Sequence, residues 1–331
     1  MNITVLGAGS WGTTVATIAA HRNPTVLWAR NEDDVLGINQ RHENSRYLAG
    51  FTLPDDLRAT ADLEEAVADA DVLVVGIPSS SFREVLEQAA PHVRPWIPVV
   101  SLTKGFERGT HLRMTQVVKD VLPGRPAAAL TGPNIAKEIM AGFAAASVVA
   151  TEDLSVASAL QGVLRRGLFR IYTNHDVVGC EVGGALKNVV AIASGMAQGL
   201  GVGDNTRSMV ITRGLSELTR LGVAMGGDPM TFAGLAGMGD LMVTCISPHS
   251  RNRHVGEQLG QGVPLDEILS NMTMVAEGVK TAGLVMELAK QHGVELPICS
   301  RIEGVVSGRL TVLEAYEGLM LTAPGHEAEP G

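Results

Sequence analysis

Lys187 lies in a stretch of the chain whose composition suits proton transfer. It is the only charged residue between Glu181 and Asp204, and Gly183 and Gly184 precede it by one helical turn. Small residues let a helix pack closely, so we expect the amine to occupy a confined space, where desolvation lowers the pKa of a lysine. Such an amine can donate or accept a proton at a carbonyl oxygen. The alternative is a side chain that reaches water from a core helix.

Asp240 and Thr244 are the expected partners of that lysine. They are four residues apart and share one face if the segment is helical. A carboxylate paired with Lys187 would orient the amine, so we predict that Asp240 has this role.

A phosphate pocket is predicted at residues 250–252. Ser250 has the side chain of a helix N-cap, and Arg251 and Asn252 follow it. The N–H groups at a helix start, together with a guanidinium, bind phosphate well. Helix capping alone is the alternative interpretation of Ser250.

Lys104 ends one of three predicted strands that are followed by polar residues, at 77–80, 101–105 and 130–134. In open α/β sheets, ligands bind outside the carboxyl ends of the strands. A lysine at this edge can bind a phosphate or polarise a carbonyl oxygen. The alternative is an ordinary surface lysine.

Gly7, Gly9 and Gly12 form a G-x-G-x-x-G pattern between an apolar strand and a helix-like stretch. Gly7 would permit the sharp turn, Gly9 would leave room for a pyrophosphate, and Gly12 would let the helix pack near the strand. This context predicts dinucleotide binding.

Arg30 ends the second strand, at the place where an NAD-specific fold offers an acidic residue to the ribose 2′-hydroxyl. A guanidinium suits a 2′-phosphate, so NADP is admitted beside NAD. The alternative is that Arg30 only extends into solvent from the strand end.

The elements that would position these residues alternate in the first half and are helical in the second. We predict a doubly wound Rossmann-type α/β domain over 1–178, an all-α substrate and catalytic domain over 179–322, and a loose tail over 323–331. The ligand site is expected in the cleft between the domains. Predicted strands are 3–7, 25–30, 71–77, 97–102, 126–131, 144–150 and 168–173. Predicted helices include 81–90, 112–121, 181–198, 206–225, 231–236, 251–260, 264–270, 278–291 and 300–307.

Composition narrows the class of protein. The chain has 331 residues, 45% of them hydrophobic and 18% charged, with a net charge of −9, which argues against nucleic-acid partners. Three widely spaced cysteines fit a reducing compartment, and we expect a cytoplasmic location. The longest uncharged run, 188–203, is too short and too glycine-rich for an integral membrane segment. We expect no metal, because Cys245, His249 and His254 match no ligand spacing.

The chain, from Gly7 to about Leu319, resembles the bacterial NAD(P)-dependent glycerol-3-phosphate dehydrogenases. Seven ordered blocks carry the resemblance: 7–13, 101–105, 131–138, 184–188, 239–241, 250–253 and 277–278. Two positions depart from the family pattern. Asn134 stands where a serine is commoner, and Thr103 where another small residue is frequent.

The resemblance implies reversible hydride transfer between NAD(P)H and dihydroxyacetone phosphate, which gives sn-glycerol 3-phosphate for phospholipid synthesis. Lys187 would be the proton acceptor during oxidation. The catalytic set is Lys187, Lys104, Asp240, Thr244 and Asn188. The cofactor set is Gly7, Gly9, Ser10, Trp11, Gly12, Arg30, Lys104, Ala136, Arg251, Val275 and Glu277. The substrate set is Lys104, Gly132, Asn134, Lys187, Asp240, Ser250, Arg251 and Asn252. A homodimer is expected from the many small-residue faces of the helical domain.

Two other functions stay open at this point. Related two-domain dehydrogenases act on hydroxy acids or ketopantoate-like acids, and the pocket at 250–252 favours phosphate without excluding a carboxylate. A nucleotide-sensing module without turnover is the second alternative, although such a sensor has no need of Lys187 facing Asp240.

Overall fold

The computed structural model describes residues 1–272 and 276–321. By the density of its internal contacts, the chain divides into Met1–Val177 and a second unit that begins at Val178. The predicted tail, 323–331, lies outside the described residues. The assignment of a separate function to each unit remains a prediction.

The first unit contains an eight-stranded sheet in the order β3-β2-β1-β4-β5-β6-β7-β8. All neighbouring strands are parallel except β6 and β7. The seven predicted strands are present within a few residues of the expected bounds. The strands are β1 Ile3–Leu6, β2 Thr25–Trp28, β3 Leu57–Thr60, β4 Val72–Val75, β5 Val99–Ser101, β6 Ala127–Thr131, β7 Ala145–Ala150 and β8 Phe169–Asn174.

Two features of this sheet differ from the expectation. Strand β3 was missed, because Leu57–Thr60 is short and its Arg58 and Thr60 break the apolar run that marked the other strands. Strand β7 is antiparallel to β6 rather than part of a wholly parallel sheet. The only helix between these strands, α6 Ala136–Met140, has five residues and is too short to carry the chain back along the sheet.

Helices cover both faces of the sheet, as the doubly wound arrangement requires. Successive strand residues point to opposite faces, so Val74 packs in one apolar cluster with Val15 of α1, while Val75 packs in the other with Phe82 of α4. Burial on both faces explains why these strands read as unbroken apolar runs. The helices of this unit are α1 Ser10–Ala20, α2 Glu32–Arg41, α3 Leu63–Ala68, α4 Ser79–Ala89, α5 Met114–Val121, α6 Ala136–Met140 and α7 Leu154–Leu164.

The second unit is helical throughout its described residues, as predicted. Helices α11 and α16 were not among the predicted ones, and a π-helical turn, Leu235–Gly239, directly precedes α11. The helices are α8 Val177–Gly199, α9 Asp204–Ala224, α10 Pro229–Ala233, α11 Asp240–Ile246, α12 Arg251–Gly260, α13 Leu265–Ser270, α14 Glu277–His292, α15 Pro297–Val306 and α16 Val312–Met320.

Helix α8 extends beyond the uncharged run that the sequence analysis identified. Its 23 residues have a mean hydropathy of 1.4 and are long and apolar enough to cross a membrane by those two measures alone. However, 94% of the apolar window is buried inside the protein, as in the core helix of a globular unit. Burial inside the protein accounts for this apolar sequence.

Glycines bring α8 and α12 into backbone contact. A Cβ atom on Gly256 would lie 2.0 Å from the carbonyl oxygen of Ile192, and one on Gly195 would lie 2.0 Å from that of Arg253. The small-residue faces that suggested a dimer are thus used, at these positions, for packing within the chain.

Candidate active site

The glycine turn after β1 has the shape that the sequence predicts. Gly7 has φ +107°, and a Cβ atom there would lie 2.6 Å from the carbonyl oxygen of Gly76. A Cβ atom on Gly12 would lie 2.0 Å from the carbonyl oxygen of Gly7, whereas one on Gly9 would meet no protein atom within 4 Å. The turn is therefore closed on the protein side and open in front of Gly9, at the start of α1, where the first N–H groups of the helix can receive an anion.

The side chains of Ser10 and Trp11 lie next to this turn, at the start of α1. The Ser10 hydroxyl donates to the carbonyl oxygen of Tyr47 at 3.0 Å, which ties the helix start to the segment after α2. The Trp11 ring meets the edge of Phe169 at 6.1 Å between centroids. Its buried Nε1 has no hydrogen-bond partner among the described residues. A buried donor of this kind favours an acceptor from outside the chain.

Arg30 follows β2 directly and is exposed. Its guanidinium makes no ion pair or side-chain hydrogen bond within the described part of the chain. The guanidinium is therefore available to a 2′-phosphate. Residue 30 offers no carboxylate to a ribose 2′-hydroxyl, because it is an arginine.

Lys104, Gly132 and Asn134 come together at the carboxyl ends of β5 and β6. The Lys104 Nζ atom donates to the Gly132 carbonyl oxygen at 3.1 Å and to Asn134 Oδ1 at 2.7 Å. The buried Asn134 Nδ2 and Thr131 Oγ1 atoms have no hydrogen-bond partner in the part of the chain that the structure describes. This edge thus carries one cation and two unused polar groups, which suits a polar ligand. Thr131 was not predicted, although its place as the last residue of β6 could have indicated it.

Lys187 forms a buried ion pair with Asp240, as predicted. The Nζ and Oδ1 atoms are 2.5 Å apart, and the side chains are 7% and 1% exposed. Nζ also donates to Thr244 Oγ1 at 2.7 Å. An ammonium has three N–H groups, so one remains without a partner in the described part of the chain.

The π-helical turn before α11 positions that carboxylate. A Cβ atom on Gly183 would lie 2.8 Å from the carbonyl oxygen of Ala236, so only glycine admits the turn against α8. Gly183 lies one helical turn before Lys187, which explains why a small residue is needed there. Single π-turns of this type occur often at functional sites.

The nearby Cys245 thiol is not suited to act as a nucleophile. Burial raises its pKa to about 12, although the positive charge of Lys187 acts in the opposite direction. The thiol therefore stays protonated at neutral pH. All three cysteines of the chain are buried and free.

A chain of hydrogen bonds joins α8, α12 and α14. Asn252 Nδ2 donates to Asn188 Oδ1 at 2.9 Å, and the Gly278 N–H donates to Asn252 Oδ1 at 2.9 Å. Both asparagines are buried. They hold the first turns of α12 and α14 beside the helix that carries Lys187.

The start of α12 has the predicted cap. The backbone N–H of Arg253 donates to Ser250 Oγ at 3.3 Å, so Ser250 caps the helix. Arg251 is exposed, yet the protein around its guanidinium lowers its pKa, and the charge of Glu277 opposes that shift. An exposed cation with dense protein around it suits a phosphate group. Arg253 instead turns inward, where Nη1 donates to Gln198 Oε1 at 2.6 Å.

Two of the remaining predicted residues lie at helix starts. Ala136 begins α6 and Glu277 begins α14. Val275 lies outside the described residues. No cluster of three or more His, Cys, Asp or Glu that could hold a metal occurs at 1–272 or 276–321.

Comparison with known proteins covers nearly the whole chain. Residues 2–157 match the family described as NAD-dependent glycerol-3-phosphate dehydrogenase N-terminus, and residues 176–317 match the corresponding C-terminus family. Glycerol-3-phosphate dehydrogenase (NAD(P)+) 2 of Sphingopyxis alaskensis is 57% identical over 331 residues, which is 100% of this chain and 99% of the relative. The Mycobacterium avium protein named glycerol-3-phosphate dehydrogenase (NAD(P)+) is 56% identical over 98% of this chain and 96% of its own.

A solved structure is similar over the same extent. The crystal structure of glycerol-3-phosphate dehydrogenase from Coxiella burnetii superposes with a TM-score of 0.93 at 34% identity, and the match covers 97% of this chain and 98% of that one.

Proposed function

This chain belongs to the NAD-dependent glycerol-3-phosphate dehydrogenase family, and from that premise we propose that Lys187 is the general acid and base of its reaction. The protein is an NAD(P)-dependent oxidoreductase that acts on a phosphorylated small molecule. In the reducing direction the substrate would be dihydroxyacetone phosphate, and the product sn-glycerol 3-phosphate.

The glycine turn would hold the cofactor, with Gly9 open to the pyrophosphate and Trp11 offering its unused N–H. When bound, NAD(P)H supplies the hydride. Arg30 would receive a 2′-phosphate, so we propose that NADPH is accepted as well as NADH.

The observation that carries the proposal is the third N–H group of Lys187. Two of its donors are fixed by Asp240 and Thr244, which leaves one that can reach a substrate oxygen. During reduction, hydride addition to the carbonyl carbon places negative charge on the carbonyl oxygen, and Nζ would give its proton to that oxygen. During oxidation Nζ would take the proton back from the hydroxyl.

Burial makes this cation effective. In a solvent-poor site an ammonium stabilises developing alkoxide charge more strongly than it does in water. Asp240 keeps the lysine in place and compensates for the cost of burying its charge. The pair is therefore suited to hold a proton at one defined position.

The substrate phosphate would bind at the start of α12. Arg251 would supply a charge-assisted hydrogen bond, and the backbone N–H groups after Ser250 would add the positive end of the helix. Lys104 and the unused Asn134 Nδ2 would bind the polar groups of the substrate or the carboxamide of the cofactor.

The test is the turnover of Lys187→Ala with NADPH and dihydroxyacetone phosphate. We expect kcat to fall at least ~10²-fold, the scale of a positioned acid–base group. Lys280→Ala is the matched control, because Lys280 is an exposed lysine on another helix of the same unit. Circular dichroism and NADPH affinity establish that each variant is folded. Near-normal turnover in a folded Lys187→Ala protein would overturn the assignment.

We also propose a homodimer. The support is an apolar stripe on α11 and the turn before it, where Met238, Met242 and Ile246 are 42–53% exposed at intervals of four residues. Light scattering behind size exclusion measures the mass, and Met242→Glu/Ile246→Glu should give a monomer if this stripe is the interface. A wild-type mass equal to one chain would contradict the proposal.

The cellular role proposed is the supply of glycerol 3-phosphate for phospholipid synthesis in the cytoplasm. Free, buried cysteines support a reducing compartment. Depletion of the protein in its host should lower the glycerol 3-phosphate pool, and added glycerol 3-phosphate should restore growth.

A further inference from the structure

The first unit has an open cavity of about 500 Å³ whose wall is rich in arginine. Arg22 follows α1, Arg165 and Arg166 lie in the loop between α7 and β8, and Arg170 lies in β8. Among residues 1–272 and 276–321, no aspartate or glutamate lines the cavity. Its volume is in the range of small-molecule sites, about 300–1,000 Å³.

These four guanidinium groups are not neutralised by the protein. Within residues 1–272 and 276–321, none of them makes an ion pair or a side-chain hydrogen bond. Other arginines of the same unit behave differently, since Arg83 bonds Glu107 at 2.7 Å. Four unpaired cations around one space are unexpected in a chain with a net charge of −9.

His21, the neighbour of Arg22 in the chain, adds no negative charge to this region. Burial lowers the pKa of His21, and the positive charge of Arg166 lowers it further. Burial also lowers the pKa of Arg166, and this arginine makes no ion pair within the described part of the chain. Compensation must come from water or from a bound ligand.

Protection of a sheet edge does not explain the cluster. Strand β8 is an edge strand, and charged side chains on such strands prevent pairing with other chains. This accounts for Arg170. It does not account for Arg22, which comes from the end of α1, nor for the gathering of all four around a cavity.

We propose that this cavity is a second anion site, which binds a small, freely dissolved phosphate-bearing compound. A guanidinium group can donate two parallel hydrogen bonds to the oxygens of one phosphate. Several arginines around one pocket therefore favour a ligand with more than one negative charge. None of the lining residues belongs to the predicted catalytic, cofactor or substrate sets. Phe169 lines the cavity and also contacts Trp11 of the glycine turn. The side chain of Phe169 therefore lies between the cavity and a predicted cofactor residue.

The experiment is calorimetric titration of the full chain with inorganic pyrophosphate at fixed ionic strength. All proteins carry Arg251→Gln, which removes the main guanidinium of the candidate active site. On this background Arg166→Gln/Arg170→Gln is compared with Arg58→Gln/Arg108→Gln, which removes two exposed arginines of the same unit outside the cavity. Both pairs change the net charge equally.

We expect saturable binding on the Arg251→Gln background. The cavity pair should weaken it at least about tenfold, since hydrogen bonds to charged groups are lost, and the control pair should change it less than about twofold. Absence of saturable binding, or equal loss in both pairs, would overturn the proposal. NADPH affinity of each variant verifies that the unit is folded.

A second arm separates a dissolved phosphate compound from a lipid headgroup. Leu168 is 63% exposed and Tyr172 is 49% exposed beside the arginines, so a membrane surface has to be tested. The protein is sedimented with vesicles of phosphatidylcholine, with and without phosphatidylglycerol. Sedimentation that requires phosphatidylglycerol and the cavity arginines, without pyrophosphate binding, would overturn the proposal in favour of a lipid surface. Pyrophosphate binding without sedimentation supports it.

Discussion

The hydroxyl of Thr244 accepts a hydrogen bond from Lys187, with 2.7 Å between Oγ1 and Nζ. The same hydroxyl donates its proton to the carbonyl oxygen of Asp240, one helical turn earlier, at 2.6 Å. Since that proton is already used, Oγ1 can only accept from the lysine. Thr244 therefore fixes the direction of the amine without supplying it with a proton.

Thr244→Val should lower kcat by about tenfold, because a buried lysine donor loses its acceptor while the side-chain shape is kept. Thr244→Ser retains the hydroxyl and should recover most of the activity. Steady-state kinetics measures both, and NADPH affinity should be unchanged in each variant. Equal kcat values for the valine and serine variants would show that the hydroxyl does not position Lys187.

Arg251→Ala should raise KM for dihydroxyacetone phosphate by at least about tenfold, with a smaller change in kcat, because a charge-assisted bond to phosphate is lost. Arg251→Lys keeps the positive charge but loses the paired donors of the guanidinium. Its KM should lie between those of the wild type and the alanine variant. An unchanged KM in the alanine variant would place the phosphate elsewhere.

Arg30→Gln should raise KM for NADPH by about tenfold while KM for NADH changes little, since only NADPH carries the 2′-phosphate. Arg41→Gln is the control, because Arg41 is an exposed arginine at the end of α2. A parallel change for the two cofactors would mean that Arg30 does not discriminate between them.

Gly256→Ala should strongly destabilise the second unit. Its Cβ atom would lie 2.0 Å from a carbonyl oxygen of α8, and overpacking of this kind typically costs about 1–3 kcal/mol or more. Gly283→Ala is the matched control on an exposed helical position with no atom within 4 Å, where we expect about 0.5–1 kcal/mol of stabilisation. Thermal unfolding compares the two, and similar midpoints would contradict the tight packing of α8 and α12.

Arg83→Gln should lower the free energy of unfolding at pH 7 by about 1–2 kcal/mol, after allowance for partial exposure of the pair. Hydrogen bonding to Arg83 lowers the pKa of Glu107 below 4.5. This contribution is therefore present above pH 4.5 and is lost as the pH falls through the lowered pKa. Urea unfolding at several pH values should show wild type and variant converging in acid. A constant difference would exclude the pair as its source.

The sequence determined those parts of the protein whose physics is local. A sharp turn with φ +107° at Gly7 and a close approach at Gly12 admit only glycine, so the pattern itself specified the turn. Strands buried on both faces, such as β4, are continuously apolar, which made them visible in the sequence. Ser250 was recognisable because capping is decided within three residues.

Tertiary structure decided whatever depends on packing between distant segments. Lys187 and Asp240 are 53 positions apart, and a π-turn that packs on Gly183 brings them together. No local signal fixes that geometry. Strand β7 runs antiparallel to β6, and the only helix in the segment that connects them, residues 132–144, has five residues. The arginine cavity joins residue 22 to residues 165–170, and its lack of carboxylates became visible only when the chain brought those cations together. Periodicity reports which face of an element is buried, whereas the identity of its neighbours depends on the balance of many contacts across the whole unit.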